Sequence, residues 1–441
     1  MSEKTVIDLS RLRKPDYNGS VQELYFLEEH PEWMVCKTMP GGSVFDVGTI
    51  FSIPNSDICR TALRHKIYSL LETPEEWENI YGHICRKYAR DKEFLAFLSE
   101  GPLEDFRLRG ADTHHLGMID RDTGEVYRKS FPPHPSQYVL VKKYKIIKPS
   151  RVSYNDNHLW DYSEYYGADK FVVPLENIVR IGLTSGSSIY RNYLNMNDAE
   201  RKNYLKELGL REELVPWTLF AKPVVDFTTK YEPEDRSLKL QEALHVSGSS
   251  GKKLLDIIKM CILGAILVSE FFRKIGLFLW DLKWEIARDG DKLVFVDTID
   301  TDSIRVTTKA NYNNKDYFVN FNKQSMRDYY KIMHSQWFEA TKSAKAAALK
   351  SGKSFLEHLR AGQAEGYYPG TPQVDRRFID IQEDKFNTLI AYIYGQATLD
   401  STIEKYNEIG LKEIGYYDAN GVLEEYDKLN GMGEETVVRS Q

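Results

Sequence analysis

Three charged residues recur at every second position in the stretch WDLKWE, residues 280–285. Asp281, Lys283 and Glu285 are spaced so that on a β-strand they share one face, while apolar side chains fill the other. Carboxylates with a lysine between them form a hard oxygen site of the kind that Mg²⁺ uses when it carries ATP phosphates. The alternative is a solvated strand face with cross-strand ion pairs.

The following residues, RDGDKLVFVD, predict a hairpin that brings Asp297 back towards this strand. A two-residue loop at Asp289 and Gly290 would place Asp297 on the apolar face, where an unpaired carboxylate is costly to bury. A three-residue loop with Gly290 in the left-handed conformation would set Asp297 beside Asp281 and Lys283. We therefore predict the three-residue loop, with the acids converging on one face.

The composition is that of a soluble globular protein with one large or two ordinary domains. The chain has 441 residues, of which 42% are hydrophobic and 28% charged, and its formal net charge is -6. This charge gives no reason to expect nucleic-acid binding. The four cysteines are scattered without a C-x-x-C pair, which disfavours a zinc site and a disulfide framework and indicates a reducing, cytoplasmic location.

No membrane segment is expected. The chain does not open with the basic and apolar pattern of a secretory signal. Its most apolar segment, residues 254–272, is interrupted by Asp256, Lys259 and Glu270, and its uncharged run is shorter than the roughly 20 residues of a membrane span. We predict a buried core helix there.

Two weaker motifs have structural interpretations. SGSSGKK, residues 247–253, lacks the spacing of a phosphate loop and predicts a flexible loop with a serine cap on the next helix. THH, residues 113–115, has adjacent histidines that would face opposite ways on a strand, so we expect no metal site.

The hairpin and its flanking segments resemble the SAICAR synthetase (phosphoribosylaminoimidazole-succinocarboxamide synthase) family. That family carries VDxKxEFG, a return strand ending in xDxxxxDSxR, and DKQxxRD. Here the corresponding segments are WDLKWEIA, VDTIDTDSIR and NKQSMRD, in the same order and at closely similar spacing. Further likeness is found in YNGSVQELYFL, SVFDV, LVKK, PLENIVRIGLTSGS and FTTKYEPED. The resemblance extends from about Tyr17 to Asp328.

The resemblance implies an α+β fold of two lobes, with antiparallel sheets, an ATP cleft between the lobes and a mostly helical C-terminal extension. The expected divisions are a nucleotide-binding lobe (1–148), an insertion (149–170), a catalytic lobe (171–328) and a helical extension (329–441) with a disordered tail. The implied reaction is ATP-dependent amide formation, in which a carboxylate is activated as an acyl phosphate and an amine, aspartate in the family, displaces phosphate.

The resemblance also assigns roles to individual residues. Glu285 and Asp297 would hold Mg²⁺ on the ATP phosphates, and Lys283 would contact the nucleotide or the transferring phosphate. Gly19 and Lys142 would complete the nucleotide end. The substrate end, where the guanidinium fork suits phosphates and carboxylates, would consist of Arg180, Ser187, Asp302, Arg305 and Lys323. Among all of these, Lys283, Asp302 and Arg305 are the expected catalytic residues.

Several positions depart from the family pattern. Ser20 and Gln22 replace both lysines of the glycine loop, IPNSD replaces IPGKG, and the family's HD is Glu234-Asp235. SGS also lies one residue farther from Arg180 than the family's GS. Lys37 and Lys230 are the candidates to replace the missing charge.

Three functions therefore stay open. The first is the purine-pathway ligase, which joins a carboxylated aminoimidazole ribonucleotide to aspartate. The second is a relative that makes another amide in specialised or modified-nucleotide metabolism, and the third is a non-catalytic nucleotide-binding regulator. The first two predict small-molecule substrates, and the C-terminal helices are expected to pack on the core or to extend a homo-oligomer interface.

Overall fold

A computed structural model describes residues 5–155, 157–351 and 354–432. Its strands are β1 (Tyr17–Asn18), β2 (Gln22–Phe26), β3 (Trp33–Thr38), β4 (Gly41–Ser43), β5 (Thr49–Ser52), β6 (His115–Ile119), β7 (Val126–Tyr127), β8 (Tyr138–Lys142), β9 (Ser150–Tyr154), β10 (Asn157–Asp161), β11 (Lys170–Val172), β12 (Leu175–Leu183), β13 (Thr218–Thr229), β14 (Ser237–Leu238), β15 (Phe278–Asp289), β16 (Lys292–Val296), β17 (Ile304–Tyr312) and β18 (Lys315–Asn320).

The helices are distributed between the sheets and along the C-terminal region. They are α1 (Ser56–Leu71), α2 (Pro74–Lys87), α3 (Lys92–Ser99), α4 (Pro102–Arg109), α5 (Ser188–Leu194), α6 (Asp198–Glu207), α7 (Leu240–Val246), α8 (Gly251–Lys274), α9 (Gln324–Met333), α10 (Ser335–Ser351), α11 (Phe355–Ala364), α12 (Arg376–Ile393), α13 (Leu399–Ala419) and α14 (Leu423–Asn430). Two 3₁₀ turns, Leu9–Arg11 and Ser163–Tyr166, complete the regular structure.

Two antiparallel sheets dominate the fold. The N-terminal sheet has six strands in the order β1-β2-β3-β8-β6-β7. The second sheet has eight strands, with the path β14-β13-β12-β15-β17-β18 and with β11 and β16 also paired to β15. Together with the helical C-terminal region, this arrangement confirms the predicted α+β class.

Strand β15 lies at the centre of the second sheet and separates its two faces as predicted. Leu282, Trp284 and Ile286 are buried in the main hydrophobic core, and Trp284 packs against Phe295 on β16. This burial of alternate apolar side chains determines which face the charged residues occupy. The carboxylates of Asp281 and Glu285 are themselves buried, so the solvated face of the alternative is wrong, although the cross-strand ion pairs that it also expected are present.

The predicted three-residue hairpin loop is also wrong. Asp289 pairs with Lys292, which leaves a two-residue loop of Gly290 and Asp291, with Gly290 at a φ of 60°. The strand β16 ends at Val296, and Asp297 then adopts a φ of 65°. This left-handed residue reorients the chain, so Asp297 reaches the charged face even though the ladder register alone would not place it there.

Helix α8 is the predicted buried core helix. Ser250 caps its N-terminus by accepting a hydrogen bond from the backbone N–H of Lys253 at 3.3 Å, as predicted. Helices α1 to α4 pack against α8, so one hydrophobic core crosses the sequence boundary expected at residue 148. Within the described ranges, no helix combines the length and apolarity that crossing a bilayer would need.

Two segments lie outside the sheets. The expected insertion forms an exposed hairpin of β9 and β10, followed by the second 3₁₀ turn. Beyond α9 the described chain is helical, with α12 packed on α1 and α13 packed on β17. From residue 433 onward, the tail that was expected to be disordered falls outside the described residues.

Candidate active site

Five charged side chains meet on the polar face of β15, and we call them the β15 wall: Glu176, Lys230, Lys283, Glu285 and Asp297. Lys283 donates to Glu176 at 2.5 Å, and its Nζ lies 3.7 Å from Glu285. Lys230 forms an ion pair with Glu285, and its Nζ lies 3.8 Å from Glu176. The wall thus combines strands β12, β13 and β15 with the end of β16.

The two acids at the centre of the wall have pKa values that are displaced in opposite directions. Burial and the neighbouring charge of Asp297 raise the pKa of Glu285. Burial also acts to raise the pKa of Asp297, but the hydrogen bond with Glu285 and the two lysines lower it below its ordinary value. Two neighbouring carboxyl groups in a poorly solvated place favour a bound cation, because the cation offsets the repulsion between their negative charges.

The backbone of Asp297 is held by two side chains from the N-terminal half of the chain. The hydroxyl of Tyr68 on α1 donates to the carbonyl oxygen of Asp297 at 2.7 Å, and His114 Nε2 lies 3.1 Å from the same oxygen. A left-handed aspartate is an uncommon conformation that the surroundings must support. These two contacts provide that support.

Three arginines extend the site from β15 towards α9, and we call Arg180, Arg305 and Arg327 the arginine cluster. Arg180 is 2% exposed and its guanidinium makes a two-pronged contact with Asp226, at 2.6 and 2.9 Å. It also donates to Ser187 and Ser188, each at 3.1 Å. Every nitrogen of the Arg180 guanidinium therefore has a protein partner.

Asp281 connects two members of the cluster. Its Oδ2 accepts a hydrogen bond from Arg305 at 2.6 Å and a weaker one from Arg180 at 3.4 Å. Arg305 also donates to the carbonyl of Gly186 at 3.3 Å. The turn that contains Gly186 and Ser187 is thereby joined to β15 and β17.

Arg327 differs from the other two arginines. Among the described residues, its side chain donates one hydrogen bond, to Gln324 at 3.4 Å. Burial, and then the positive charge of Arg305, lower the pKa of Arg327. The pKa of Lys331, four residues farther along α9, is also lowered mainly by burial, while Asp328, whose Oδ1 lies 3.7 Å from Lys331 Nζ, acts in the opposite direction. A group of neighbouring cations of this kind is a candidate anion site.

The remaining residues of the expected substrate end lie beside a small cavity of about 30 Å³. Asp302 Oδ2 is 3.3 Å from the buried Arg60 and 3.8 Å from Lys323 Nζ. Lys323 precedes the first turn of α9, and its pKa is lowered mainly by burial. Asp302 and Lys323 are thus brought together, as a pair held against α1.

The residues expected at the nucleotide end lie on separate elements of the N-terminal sheet. Gly19 forms the turn between β1 and β2, where its N–H donates to Gln22 at 2.8 Å. Lys142 is exposed at the end of β8, opposite Trp33. Of the two candidate replacement lysines, Lys37 pairs with Glu23 at 2.9 Å, whereas Lys230 belongs to the β15 wall.

Several residues of the site received no role from the sequence. Asp226 had no signal of its own, because it reaches the site only through the pairing of β12 with β13. Glu176 and Arg327 each had one, since they belong to the segments PLENIVRIGLTSGS and NKQSMRD. The unassigned members are Glu176, Asp226, Arg60, Tyr68, His114 and Arg327.

The wall has the donor chemistry for Mg²⁺ in company with phosphates. In the described part of the chain, no group of three or more His, Cys, Asp or Glu side chains is arranged to hold a metal by itself. Glu285 and Asp297 supply two carboxylates, which is the number that Mg²⁺ commonly takes from a protein when substrate phosphates and water provide its other ligands. The residues present therefore fit the ion.

The chain is similar to known proteins over most of its length. Residues 16–344 match the family model described as SAICAR synthetase. A protein of Archaeoglobus fulgidus, provisionally named phosphoribosylaminoimidazole-succinocarboxamide synthase, is 26% identical over 269 residues, which are 60% of this chain and 73% of the relative. The synthase of the same name from Thermoplasma acidophilum is 27% identical over 271 residues, covering 60% and 76%.

Solved structures are also similar to this chain. One is the SAICAR synthase of Saccharomyces cerevisiae complexed with SAICAR. It aligns with 89% of this chain and 98% of its own, at 16% sequence identity and a TM-score of 0.46.

Proposed function

The chain belongs to the SAICAR synthetase family, whose members are ATP-dependent ligases, and from that premise we propose that it joins a carboxylate to an amine through an acyl phosphate. A carboxylate does not react with an amine at neutral pH, because its oxygen is a poor leaving group. Transfer of the γ-phosphoryl group of ATP to that oxygen creates a good one.

The observation that carries the proposal is the placing of the neighbouring acids Glu285 and Asp297 beside Lys230 and Lys283. This arrangement combines sites for a cation with ammonium groups for phosphate oxygens. When bound, Mg²⁺ supplies charge neutralisation to the phosphates, and Glu285 and Asp297 are the residues that would hold it. Phosphoryl transfer depends mostly on such positioning and charge stabilisation.

The two chemical steps of this reaction suggest roles for the other residues of the site. In the first, an oxygen of the substrate carboxylate attacks the γ-phosphorus as the bond to ADP breaks, and we assign Lys283 to the transferring group. In the second, the amine attacks the acyl carbon, phosphate leaves, and the amine loses a proton. Asp302 is the partly exposed carboxylate that we assign to the amine end, with Lys323 beside it.

The substrates that we propose are a carboxylated aminoimidazole ribonucleotide and aspartate, as the names of the relatives suggest. Both bear anionic groups, which Arg305 and Arg327 suit. Ser187 would bind the anion through the turn at residues 184–187, which Arg180 holds in place, with Gly19 and Lys142 on the nucleotide side.

A second candidate is a ligase of the same chemistry with a different pair of substrates. The observation that favours it is the saturation of Arg180 by Asp226, Asp281 and two serines, which leaves that guanidinium no nitrogen for a substrate phosphate. Either Arg180 acts by positioning its neighbours, or the anionic groups of the substrate differ.

The test is coupled detection of ADP release with ATP, Mg²⁺, the imidazole nucleotide and aspartate, followed by a panel of other amino acids and carboxylates. Glu285→Gln should lower kcat by about 10²–10³-fold, the loss that follows removal of one preorganised electrostatic group. Its fold should persist, because glutamine keeps the shape and can still donate to Asp297. The matched control is Glu408→Gln, a change at an exposed helix position.

Turnover that is abolished by Glu285→Gln and kept by Glu408→Gln supports the family reaction. Turnover only with other substrates selects the second candidate. Equal activity of the wild type and Glu285→Gln would contradict the proposal, since the carboxylate pair would then have no part in catalysis.

A further inference from the structure

The last helix of the described chain contacts the substrate end from outside the family match. Residues 16–344 match the family, so α11 to α14 lie beyond it. Helix α14 packs on both α9 and β18. Its C-terminal end then reaches two features of the site, the turn at residues 184–187 and the first turns of α9.

The first contact is with the turn. The hydroxyl of Ser185 donates to the carbonyl of Leu429 at 2.6 Å. On the other side of the turn, the carbonyl of Gly186 accepts from Arg305 and the hydroxyl of Ser187 accepts from Arg180. The turn is therefore held between the arginine cluster and the end of α14.

The second contact is a buried polar network under α9. Asn430 is 1% exposed, and its side-chain oxygen accepts from Asn320 at 3.1 Å while its amide donates to Asp328 at 3.4 Å. Asp328 also accepts from Gln324 at 2.8 Å. Gln324 and Asp328 flank Arg327, so this network determines how the first turns of α9 present that arginine.

The segment after α14 attaches its end to the second sheet. The N–H of Met432 donates to the carbonyl of Asp316 at 3.0 Å, and Gly431 forms an antiparallel bridge with Tyr317. Met432 also packs against the aromatic cluster of Trp217, Trp280 and Phe318. These attachments prevent α14 from sliding and so keep Asn430 beneath α9.

We propose that residues 423–432 form a positioning element, called here the α14 clamp, which holds the turn at 184–187 and the arginine-bearing turns of α9 in register for an anionic substrate. Asn430 is its central positioning residue, acting through Asp328, and Ser185 is the point where the turn is attached. The expected effect on kinetics rests on the proposed function, whereas the effect on local structure does not.

The test compares Asn430→Ala and Ser185→Ala with the matched control Asn420→Ala. Asn420 lies at the end of α13, is exposed, and donates to the carbonyl of Tyr416, with no contact to α9 or the turn. Hydrogen exchange is measured first. We expect faster exchange at residues 184–194 and 322–331 in Asn430→Ala and Ser185→Ala, and unchanged exchange in Asn420→Ala.

Steady-state kinetics on the same variants give the second readout. Asn430→Ala should raise KM for the imidazole nucleotide about 10-fold, as the loss of one or two buried hydrogen bonds implies, with KM for ATP unchanged. A purely structural role would instead lower the unfolding temperature without separating the two KM values. If Asn430→Ala is too unstable to study, Ser185→Ala tests the clamp from the turn.

The outcomes separate the two proposals. Unchanged exchange in both segments, or equal shifts of both KM values, would overturn the clamp. Faster exchange in a protein that turns over none of the substrates would support the clamp and refute the proposed reaction.

Discussion

The β15 wall and the arginine cluster both adjoin strand β15, yet they balance charge differently. In the wall, two lysines offset most of the charge of three carboxyl groups, and the raised pKa of Glu285 reduces the negative charge further. In the arginine cluster, Arg180 is fully partnered by carboxylates and serines, whereas the side chain of Arg327 makes a single weak hydrogen bond in the described structure. Residues of the same type are therefore partnered differently in neighbouring parts of the site.

This comparison teaches that the type of a charged residue does not establish its role. Arg180 and Arg327 each belong to a segment that resembles a family motif. Burial among partners indicates that Arg180 supports the architecture, whereas the half-buried Arg327, whose side chain makes one weak hydrogen bond among the described residues, is the arginine that we propose for an anion.

The largest expected effect is a loss of stability in a variant of Arg180. Arg180→Met should lower the free energy of unfolding by about 3–5 kcal/mol, because removing one partner leaves Asp226 partly buried without its counter-ion. Chemical denaturation measures the loss. The double variant Arg180→Met/Asp226→Leu should recover part of it, and a single variant as stable as the wild type would show that Arg180 is not structural.

Arg327→Met should have the opposite profile. Its stability should stay close to that of the wild type, because a poorly compensated cation is removed, while KM for the anionic substrate rises about 10–100-fold, as loss of one charged hydrogen bond implies. Denaturation and initial rates are compared with those of Arg180→Met. Equal destabilisation of the two variants would remove the difference between the arginines.

The free energy of unfolding should decrease in acid because of the buried His65. Burial lowers the pKa of His65 to about 4, so the folded state keeps this imidazole neutral while the unfolded chain protonates it near pH 6.5. The stability that His65 contributes is therefore complete above pH 6.5 and is lost as the pH falls towards 4. Between pH 7 and 5.5 the loss is about 1.2 kcal/mol.

Denaturation at both pH values checks this expectation. His65→Gln should show a smaller loss on acidification, although it also removes contacts to His115 and Ser130. Exposed His158→Gln is the control and should behave as the wild type. An unchanged slope in His65→Gln would exclude His65 as a source of the acid sensitivity.

The smallest expected effect comes from removing the hydrogen bond of Tyr68 to the backbone of Asp297. Tyr68→Phe removes the hydroxyl that donates to the Asp297 carbonyl, and should lower stability by about 1 kcal/mol and kcat by a few-fold. Tyr88→Phe is the matched control, since the buried Tyr88 hydroxyl has no hydrogen-bond partner among the described residues. Identical behaviour of the two variants would mean that the hydroxyl of Tyr68 does not hold Asp297.

Local pattern was sufficient for much of the fold. Alternation along β15, the apolar length of α8 and the serine cap at Ser250 each depend on neighbours within a few residues, and each was predicted from the sequence. The same reasoning brought Glu285 and Lys283 to one face. The motif resemblance added the family and the expected positions of the distant site residues.

The hairpin loop shows a feature that reasoning from neighbouring residues did not predict. The cost of burying Asp297 was judged correctly, but a longer loop was the only local remedy, and the protein uses a left-handed Asp297 instead. That conformation depends on Tyr68 and His114, which are far away in the sequence. No local pattern could have indicated it.

The sequence by itself determined the core helix and the charged face of β15, because these follow from short-range periodicity and from the need to bury apolar side chains. The antiparallel sheets were expected from the family resemblance and not from periodicity. Only the tertiary structure decided which charges are partnered. Asp226 forms a two-pronged contact with Arg180, Lys230 forms an ion pair with Glu285, and Asn430 of α14 donates to Asp328. Such pairings depend on strand register and helix packing between distant segments, and electrostatic energies change steeply with the distances and burial that packing sets.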